Sequence, residues 1–204
     1  MRKLVVVVAT LIILAGAAVV GWNVYSGPPA PAAQVAVGQA VADFTLNDIN
    51  GQAHSLASLK GPKGVLLIWI STQCPYSNGY NSRMEALGRD YTAKGIRVVG
   101  INSNRTESVE NIREHTAKNG FTFTILKDTD NRIADYFGAS VTPEAYLIDS
   151  GNALRYHGRL DASHEDTSLN SGEAREALDA VVNGAQVANT GKKAFGCTIK
   201  RVSG

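Results

Sequence analysis

The chain has 204 residues, of which 44% are apolar and 19% are charged, and its formal net charge is +2. These totals fit one globular domain with a short appendage, and the lack of any basic block beyond Arg2 and Lys3 excludes a nucleic-acid-binding protein. Two cysteines, Cys74 and Cys197, are too few for a disulfide scaffold, but they allow one bridge or a nucleophile with a resolving partner.

The N-terminal segment is strongly apolar. Residues 4–25 carry no charge and are long enough to span a bilayer, and Trp22 and Tyr25 suit a membrane interface. These features favour an uncleaved anchor, while a cleaved signal peptide with a small-residue site within residues 30–33 stays open as the alternative. In both cases we expect export to the periplasmic side of the inner membrane, where thiol chemistry is disulfide chemistry.

Composition divides the chain into four parts. Residues 1–25 are expected to be the anchor or signal segment, and residues 26–35, rich in Pro and Ala, a linker. Residues 36–190 are expected to form one folded domain. Residues 191–204 are expected to be a C-terminal tail that carries Cys197.

The folded domain begins with a predicted β-hairpin. Within residues 41–59, apolar and polar residues alternate around Asn50-Gly51, a signal for a two-residue turn. Residues 65–70 are apolar without alternation, which predicts a strand buried on both faces of a sheet. A helix is expected to follow over about residues 78–94.

Strands and helices alternate through the rest of the domain. A helix with Glu107 and Glu110 in its first turn ends near Gly120, and a short helix stops at Gly138. The other predicted elements are strands over residues 96–101, 121–126, 145–148 and 153–160, and an amphipathic helix over residues 174–182. This order predicts an α/β fold with a central mixed sheet and helices on both faces.

Residues 71–82, with the sequence STQCPYSNGYNS, form the candidate active site. Cys74 stands between the end of a buried strand and the start of a helix, where free N–H groups and the helix dipole favour a thiolate. The alternative is a small buried hydrophobic residue. The polar neighbours of Cys74 favour the reactive interpretation.

Four stretches carry a resemblance to a known family: the hairpin sequence ADFTLNDINGQAHSL, the strand that ends before Cys74-Pro75-Tyr76-Ser77, the sequence VTPE at residues 141–144, and YLIDSGNALRYHGRL. Over about residues 36–185 the chain resembles the thioredoxin superfamily, in its redoxin branch of the alkyl hydroperoxide reductase and thiol-specific antioxidant type. It is most similar to peroxiredoxin-like proteins with a single active-site cysteine. The resemblance implies a thioredoxin-like fold with an N-terminal β-hairpin.

The resemblance also implies roles for the matched positions. Cys74 falls on the nucleophilic cysteine, beside Pro75, and Ser77 falls on the family's second cysteine, where its hydroxyl is expected to donate to the thiolate. Pro143 falls on a cis-proline that faces the sulfur, and with Thr142 it is expected to expose backbone groups that pair with a substrate peptide. The family's peroxidatic cysteine would align with Ser77, which disfavours the usual peroxidase chemistry.

Cys197 is the other thiol, 123 residues after Cys74 (197 − 74). One hypothesis is that Cys197 folds back to the site and resolves a mixed disulfide or sulfenic acid on Cys74. The other is that Cys197 is structural or binds a partner. The sequence leaves both open, because distance along the chain does not give distance in space.

The remaining polar residues predict no bound group. The chain has four histidines without metal-ligand spacing: His54, His115, His157 and His164. Neither a metal nor a cofactor is therefore expected. His157 is expected to pack or to hydrogen-bond, and Glu144 is expected to face solvent.

Three functions follow from these residues. The first is an exported thiol–disulfide oxidoreductase with Cys74 as nucleophile, and the second is a thiol-dependent peroxidase that uses the same thiol. The third is a non-enzymatic binding module of the same fold. The expected partners are protein or small-molecule thiols and disulfides, peroxide for the second function, and the inner membrane through the N-terminal segment, with no nucleic acid.

Overall fold

The computed structural model of the protein describes residues 34–202. The predicted anchor or signal at residues 1–25 and most of the linker at residues 26–35 lie outside the described residues and stay predictions. Among the helices of residues 34–202, none combines the length and the apolar character needed to cross a membrane.

The strands of the described domain form two sheets. They are β1 (Thr45–Asp48), β2 (Ala53–Ser55), β3 (Gly64–Trp69), β4 (Ile96–Asn102), β5 (Thr124–Lys127), β6 (Val141–Thr142), β7 (Glu144–Asp149), β8 (Leu154–Gly158) and β9 (Cys197–Thr198). Seven of them form one sheet in the order β2-β1-β5-β4-β3-β7-β8, and β6 pairs with β9 in a second, two-stranded sheet.

The large sheet is mixed. Strand β3 pairs in parallel with β4 and antiparallel with β7, and β4 pairs in parallel with β5. The hairpin of β1 and β2 joins β5 at one edge, and β8 joins β7 at the other. Because β3 and β4 run in parallel, their carboxyl ends meet at one edge of the sheet, where ligands and chemistry gather in such folds.

Helices cover both faces of this sheet. They are α1 (Leu56–Leu59), α2 (Pro75–Gly79), α3 (Asn81–Thr92), α4 (Val109–Asn119), α5 (Arg132–Phe137) and α6 (Gly172–Val182), with a 3₁₀ turn at Thr167–Leu169. Leu67 and Trp69 pack in the core beneath α1 and α5, and Leu66 and Ile68 pack beneath α3, α4 and α6. Strand β3 is thus buried on both faces, and the predicted layered α/β architecture is confirmed.

Local differences from the predicted elements have simple causes. The hairpin is confirmed, but four residues, 49–52, connect its strands rather than two. The Asp48 N–H donates to the Gln52 carbonyl, and Gly51 takes a φ of 87°. The helix expected near residue 78 begins earlier, at Pro75, and is divided at Tyr80.

Helix α4 begins later than the sequence predicted. Ser108 caps it, with a reciprocal hydrogen bond from its backbone N–H to the Asn111 side chain. Glu107 therefore precedes the helix instead of lying in its first turn. Its carboxylate is free to turn towards the loop that carries Cys74.

Candidate active site

Cys74 occupies the junction between β3 and α2. It is the N-cap of α2, its Sγ accepts a hydrogen bond from the Ser77 N–H at 3.4 Å, and Pro75 takes the first helical position. Proline is favoured there because no donor is needed from that residue. The structure therefore places Cys74 at a helix start, as the sequence predicted.

The sulfur of Cys74 is enclosed by polar groups. The residue is 2% exposed, and its Sγ lies 3.2 Å from the Thr142 carbonyl oxygen, beside the cis bond between Thr142 and Pro143. The cis bond agrees with the resemblance. The sequence left two alternatives for Cys74, a reactive thiol or a small buried hydrophobic residue. In the structure Cys74 is buried, but its sulfur has hydrogen-bonding neighbours.

Cys197 lies directly against this sulfur. Strand β9 pairs antiparallel with β6, with Cys197 opposite Thr142, whose carbonyl oxygen lies 3.2 Å from the Cys74 Sγ. The two thiols are close enough for each to shift the pKa of the other. Both cysteines are free thiols, and Cys197 is half-buried. The structure thus brings together two residues that are 123 positions apart (197 − 74).

The four residues 195–198, which we call the tail strap, lie over the active site. Ala194 before the strap and Ile199 after it are buried, and the Ile199 N–H donates to the Ser140 carbonyl at 3.0 Å. Within the strap, a side chain at Gly196 would collide with the Thr142 carbonyl oxygen, so this close approach requires glycine.

The strap changes the predicted role of Thr142 and Pro143. Sequence reasoning expected the backbone beside Pro143 to be free for a substrate peptide. The structure shows instead that Thr142 pairs with the chain's own Cys197. In the structure the returning tail occupies this edge, and the pairing of a substrate peptide there stays a prediction.

Hydrogen bonds and burial give the two thiols different pKa values. Burial raises the pKa of Cys74, but hydrogen bonds from the Cys197 thiol and the Ser77 N–H outweigh burial, so the pKa lies below its ordinary value. Burial and the adjacent Cys74 raise the pKa of Cys197 to about 11. The first negative charge on the pair therefore resides on Cys74.

The Ser77 hydroxyl does not take the role expected for it. Ser77 is fully buried, and its Oγ accepts a hydrogen bond from the Ser71 N–H at 3.1 Å. The group of Ser77 that meets the Cys74 sulfur is the backbone N–H. The serine hydroxyl therefore holds the loop before the helix, and Ser77 stabilises the thiolate through its backbone N–H.

Glu107 is a buried residue that sequence reasoning missed. Its carboxylate accepts from the Ser71 hydroxyl and the Thr72 N–H at 2.5 and 2.7 Å, and from the Asn102 side chain at 2.6 Å. The Ser71 Oγ accepts in turn from the Cys74 N–H at 3.1 Å. Glu107 thus fixes the backbone of the active-site loop, and the available signal was an acidic residue just after the end of β4.

Glu144 is also buried, contrary to the expectation that it faces solvent. Its carboxylate accepts from the Ser140 N–H at 2.8 Å and pairs with His157 Nε2 at 2.7 Å. His157 stacks on Tyr146 with ring centroids 4.2 Å apart, so its predicted packing role is confirmed. Within residues 34–202, no three His, Cys, Asp or Glu side chains lie together as a metal site requires.

Comparisons with known proteins place this fold and site in a family. A family model described as the AhpC/TSA family matches residues 37–157. Thiol-disulfide oxidoreductase ResA of Geobacillus thermodenitrificans (strain NG80-2) is 28% identical over 149 residues, which cover 73% of this chain and 84% of that protein.

Two solved structures are similar to this chain. The crystal structure of hypothetical protein SMc02350 from Sinorhizobium meliloti 1021 gives a TM-score of 0.78 at 31% identity and covers 84% of this chain and 97% of that chain. The thioredoxin domain of thiol-disulfide oxidoreductase BVU-2223 from Bacteroides vulgatus gives a TM-score of 0.55 at 16% identity, covering 68% of this chain and 99% of that chain. The second likeness shows the fold alone.

These findings confirm the predicted fold and the broader part of the predicted resemblance. The central mixed sheet with helices on both faces is a thioredoxin-like fold. The family match spans more than half of the chain and includes the active-site loop and Pro143. The chain therefore belongs to the AhpC/TSA family of the thioredoxin superfamily.

Proposed function

We propose that the protein is a thiol–disulfide oxidoreductase in which Cys74 is the nucleophile and Cys197 the resolving thiol. The observation that carries the proposal is the contact between Cys197, on the tail strap, and the Cys74 sulfur at the start of α2. The relative named thiol-disulfide oxidoreductase ResA supports the same class of reaction.

The reaction has two exchange steps. In the first, the Cys74 thiolate attacks a sulfur of a partner disulfide, a Cys74–partner bond forms, the partner S–S bond breaks, and the leaving thiolate takes a proton from solvent. In the second, Cys197 loses its proton and attacks Cys74 Sγ, and the partner leaves as a second thiol. The partner gains two electrons, and the protein holds a Cys74–Cys197 disulfide.

The direction of net flow depends on the partner that restores the protein. A dithiol donor reduces the Cys74–Cys197 bond and makes the protein a reductant of other disulfides. The same two steps in reverse oxidise a partner dithiol. The lowered pKa of Cys74 favours the reduced protein, because a stabilised thiolate lowers the free energy of the dithiol form.

The finer sequence predictions belong to this proposal. The lack of a second thiol within Cys74-Pro75-Tyr76-Ser77 supports membership of the peroxiredoxin-like subgroup with one active-site cysteine. The apolar N-terminus supports work outside the cytoplasm, with residues 1–25 as anchor or signal and residues 26–35 as linker. The domain then spans residues 36–190 and the tail residues 191–204, and the substrates are protein or small-molecule disulfides.

Trapping experiments test the assignment of the two thiols. The reduced full chain, its Cys197→Ser variant and its Cys74→Ser variant are mixed with glutathione disulfide, and non-reducing peptide mapping locates the products. We expect a Cys74–Cys197 bridge in the wild type and a persistent glutathione adduct on Cys74 in Cys197→Ser. In Cys74→Ser we expect a glutathione adduct on Cys197 to form more slowly than the adduct on Cys74 in Cys197→Ser, because burial still raises the pKa of Cys197.

The outcomes separate the three candidate functions. Two free thiols in the wild type after this treatment would refute the oxidoreductase proposal and favour a binding module. A peroxidase would instead form a sulfenic acid on Cys74 with hydrogen peroxide, and labelling of Cys197→Ser with dimedone detects that product. Circular dichroism of each variant controls for loss of fold.

A further inference from the structure

An aromatic cluster lies beside the two thiols. The rings of Tyr76 and His164 have centroids 4.2 Å apart, and the ring of Phe195 lies 6.0 Å from Tyr76 and 6.5 Å from His164. The guanidinium of Arg159 lies 6.0 Å from the Phe195 ring. We call Tyr76, His164 and Arg159 the aromatic seat, because together they hold the Phe195 ring of the tail strap.

The seat is positioned by the folded domain and not by the strap. Arg83, 3% exposed, donates to the carbonyls of Ser163 and His164 at 2.8 and 2.7 Å and to the Asp161 carboxylate at 2.7 Å. These bonds tie the loop that carries His164 to α3. Gly79 in α2 has no side chain, which lets the His164 carbonyl lie directly against that helix.

The strap that occupies the seat is held by buried residues at its two ends and by the pairing of β9 with β6 between them. Ala194 and Ile199 are buried, whereas Phe195 is half-buried and Thr198 is exposed. Cys197 meets Cys74 while Phe195 meets Tyr76, so both strap contacts reach the start of α2. The bonds that hold the loop of His164 come from Arg83 and not from the strap, so displacement of the strap and its β6 pairing would leave those bonds in place.

We infer that the aromatic seat is a subsite for a partner protein, which binds as an extended segment with an aromatic residue two positions before its reactive cysteine. In this register the residue between the two is glycine, because a side chain at the position of Gly196 would strike the Thr142 carbonyl. The partner segment takes the place of the tail strap and brings its disulfide to Cys74. The inference rests on the proposed function and names its substrate class.

Physical reasons favour an aromatic side chain at this position. Two rings offer edge and face contacts to a third ring, and the Arg159 guanidinium adds a cation–π contact that an aliphatic side chain cannot make. An aromatic residue in place of alanine is therefore expected to raise the rate of exchange with Cys74 by about tenfold.

Activated peptides test the subsite. Two peptides, acetyl-Ala-Phe-Gly-Cys-Thr-Ile-amide and its counterpart with Ala in place of Phe, carry the cysteine as a 2-pyridyl disulfide. When the Cys74 thiolate attacks the peptide sulfur, a peptide–Cys74 disulfide forms and 2-thiopyridone leaves, which gives the rate by absorbance. The protein is the full chain with Cys197→Ser. For each protein variant, the rate with a peptide is divided by the rate of the same variant with 2,2′-dithiodipyridine, which corrects for changes in the reactivity of Cys74 itself.

The subsite predicts a defined pattern of ratios. In Cys197→Ser, the Phe peptide reacts about tenfold faster than the Ala peptide. Adding Tyr76→Ala brings this ratio close to one, while adding Leu169→Ala, which truncates an exposed apolar residue outside the aromatic cluster, leaves the ratio unchanged. Adding Phe195→Ala empties the seat and raises the rate of the Phe peptide further.

Two results overturn the inference in distinguishable ways. Equal rates for the two peptides in both Cys197→Ser and the double variant with Phe195→Ala would refute the subsite while leaving Cys74 as a nucleophile. A Cys74 that does not react even with 2,2′-dithiodipyridine would refute the proposed function and the subsite with it.

Discussion

Replacing Glu107 by alanine gives a direct test of how the active-site loop is supported. The carboxylate accepts from the Ser71 hydroxyl, the Thr72 N–H and the Asn102 amide, and Glu107 is 2% exposed. In Glu107→Ala the Ser71 hydroxyl and the Thr72 N–H lose this acceptor, and the Asn102 amide keeps only the Ile70 carbonyl at 3.4 Å. Ser71 and Asn102 are buried, so their donors cannot turn to bulk solvent.

The expected loss follows from the three donors. A buried donor left without a partner costs about 1–3 kcal/mol, and a hydrogen bond to a charged acceptor lies in the upper part of that range. Partial entry of water reduces the sum of these costs, so we expect the free energy of unfolding of Glu107→Ala to fall by about 4 kcal/mol. With a urea m-value of about 2 kcal/mol/M, the unfolding midpoint falls by about 2 M.

Glu110→Ala is the matched control. Glu110 lies three residues away, its side chain is 66% exposed, and it pairs with Arg113 at the surface. Removing that pair costs about 0.5 kcal/mol. Urea unfolding of both variants, followed by tryptophan fluorescence and circular dichroism, measures the difference. If the free energies of unfolding of the two variants differed by less than about 1 kcal/mol, Glu107 would not support the loop as the contacts indicate.

Two further predictions concern Cys197 and the strap. Cys197→Ala removes a donor to the Cys74 sulfur, so the pKa of Cys74 and the midpoint of its alkylation by iodoacetamide move to higher pH, and an unchanged midpoint would contradict this. Since folding lowers the pKa of Cys74, its thiolate stabilises the folded protein. This contribution is fully present above the ordinary thiol pKa of about 8.5 and is lost as pH falls through the folded-state pKa. Urea unfolding across this pH range should show a smaller change in the free energy of unfolding with pH in Cys197→Ala than in the wild type. Gly196→Ala is expected to push the strap away from Thr142 and to speed alkylation of Cys74. The control Gly120→Ala, at a residue with a positive φ and no atom near the added Cβ, leaves the alkylation rate unchanged. Equal alkylation rates in the two variants would show that the strap does not shield the thiol.

Much of the fold was predictable from short segments of the sequence. The uninterrupted apolar run before the active-site loop predicted the doubly buried strand β3, and Gly138 predicted the end of α5, where it takes a φ of 69°. The position of Cys74 at a helix start followed from the same local patterns. These predictions succeeded because side-chain periodicity and backbone preference act over a few residues.

The parts of the site that sequence reasoning missed depend on distant pairs. Glu107 was assigned to a helix by its acidic character, and its contact with Ser71, 36 positions away, has no local signal. Glu144 was placed in solvent because charged residues usually lie there, yet it accepts from Ser140 and pairs with His157. For both Glu107 and Glu144, buried hydrogen-bond donors from distant parts of the chain determine where the carboxylate lies.

By itself the sequence determined the alternation of strands and helices, the thiol at the start of α2 and the resemblance to the redoxin branch, because each is encoded within one segment or one motif. Only the tertiary structure decided that Cys197 meets Cys74, that the tail fills the edge beside Pro143, and that Tyr76 and His164 form a seat for Phe195. The physical reason is that these contacts join segments separated by up to 123 residues (197 − 74). Their free energy exists only once the sheet has brought those segments to one edge.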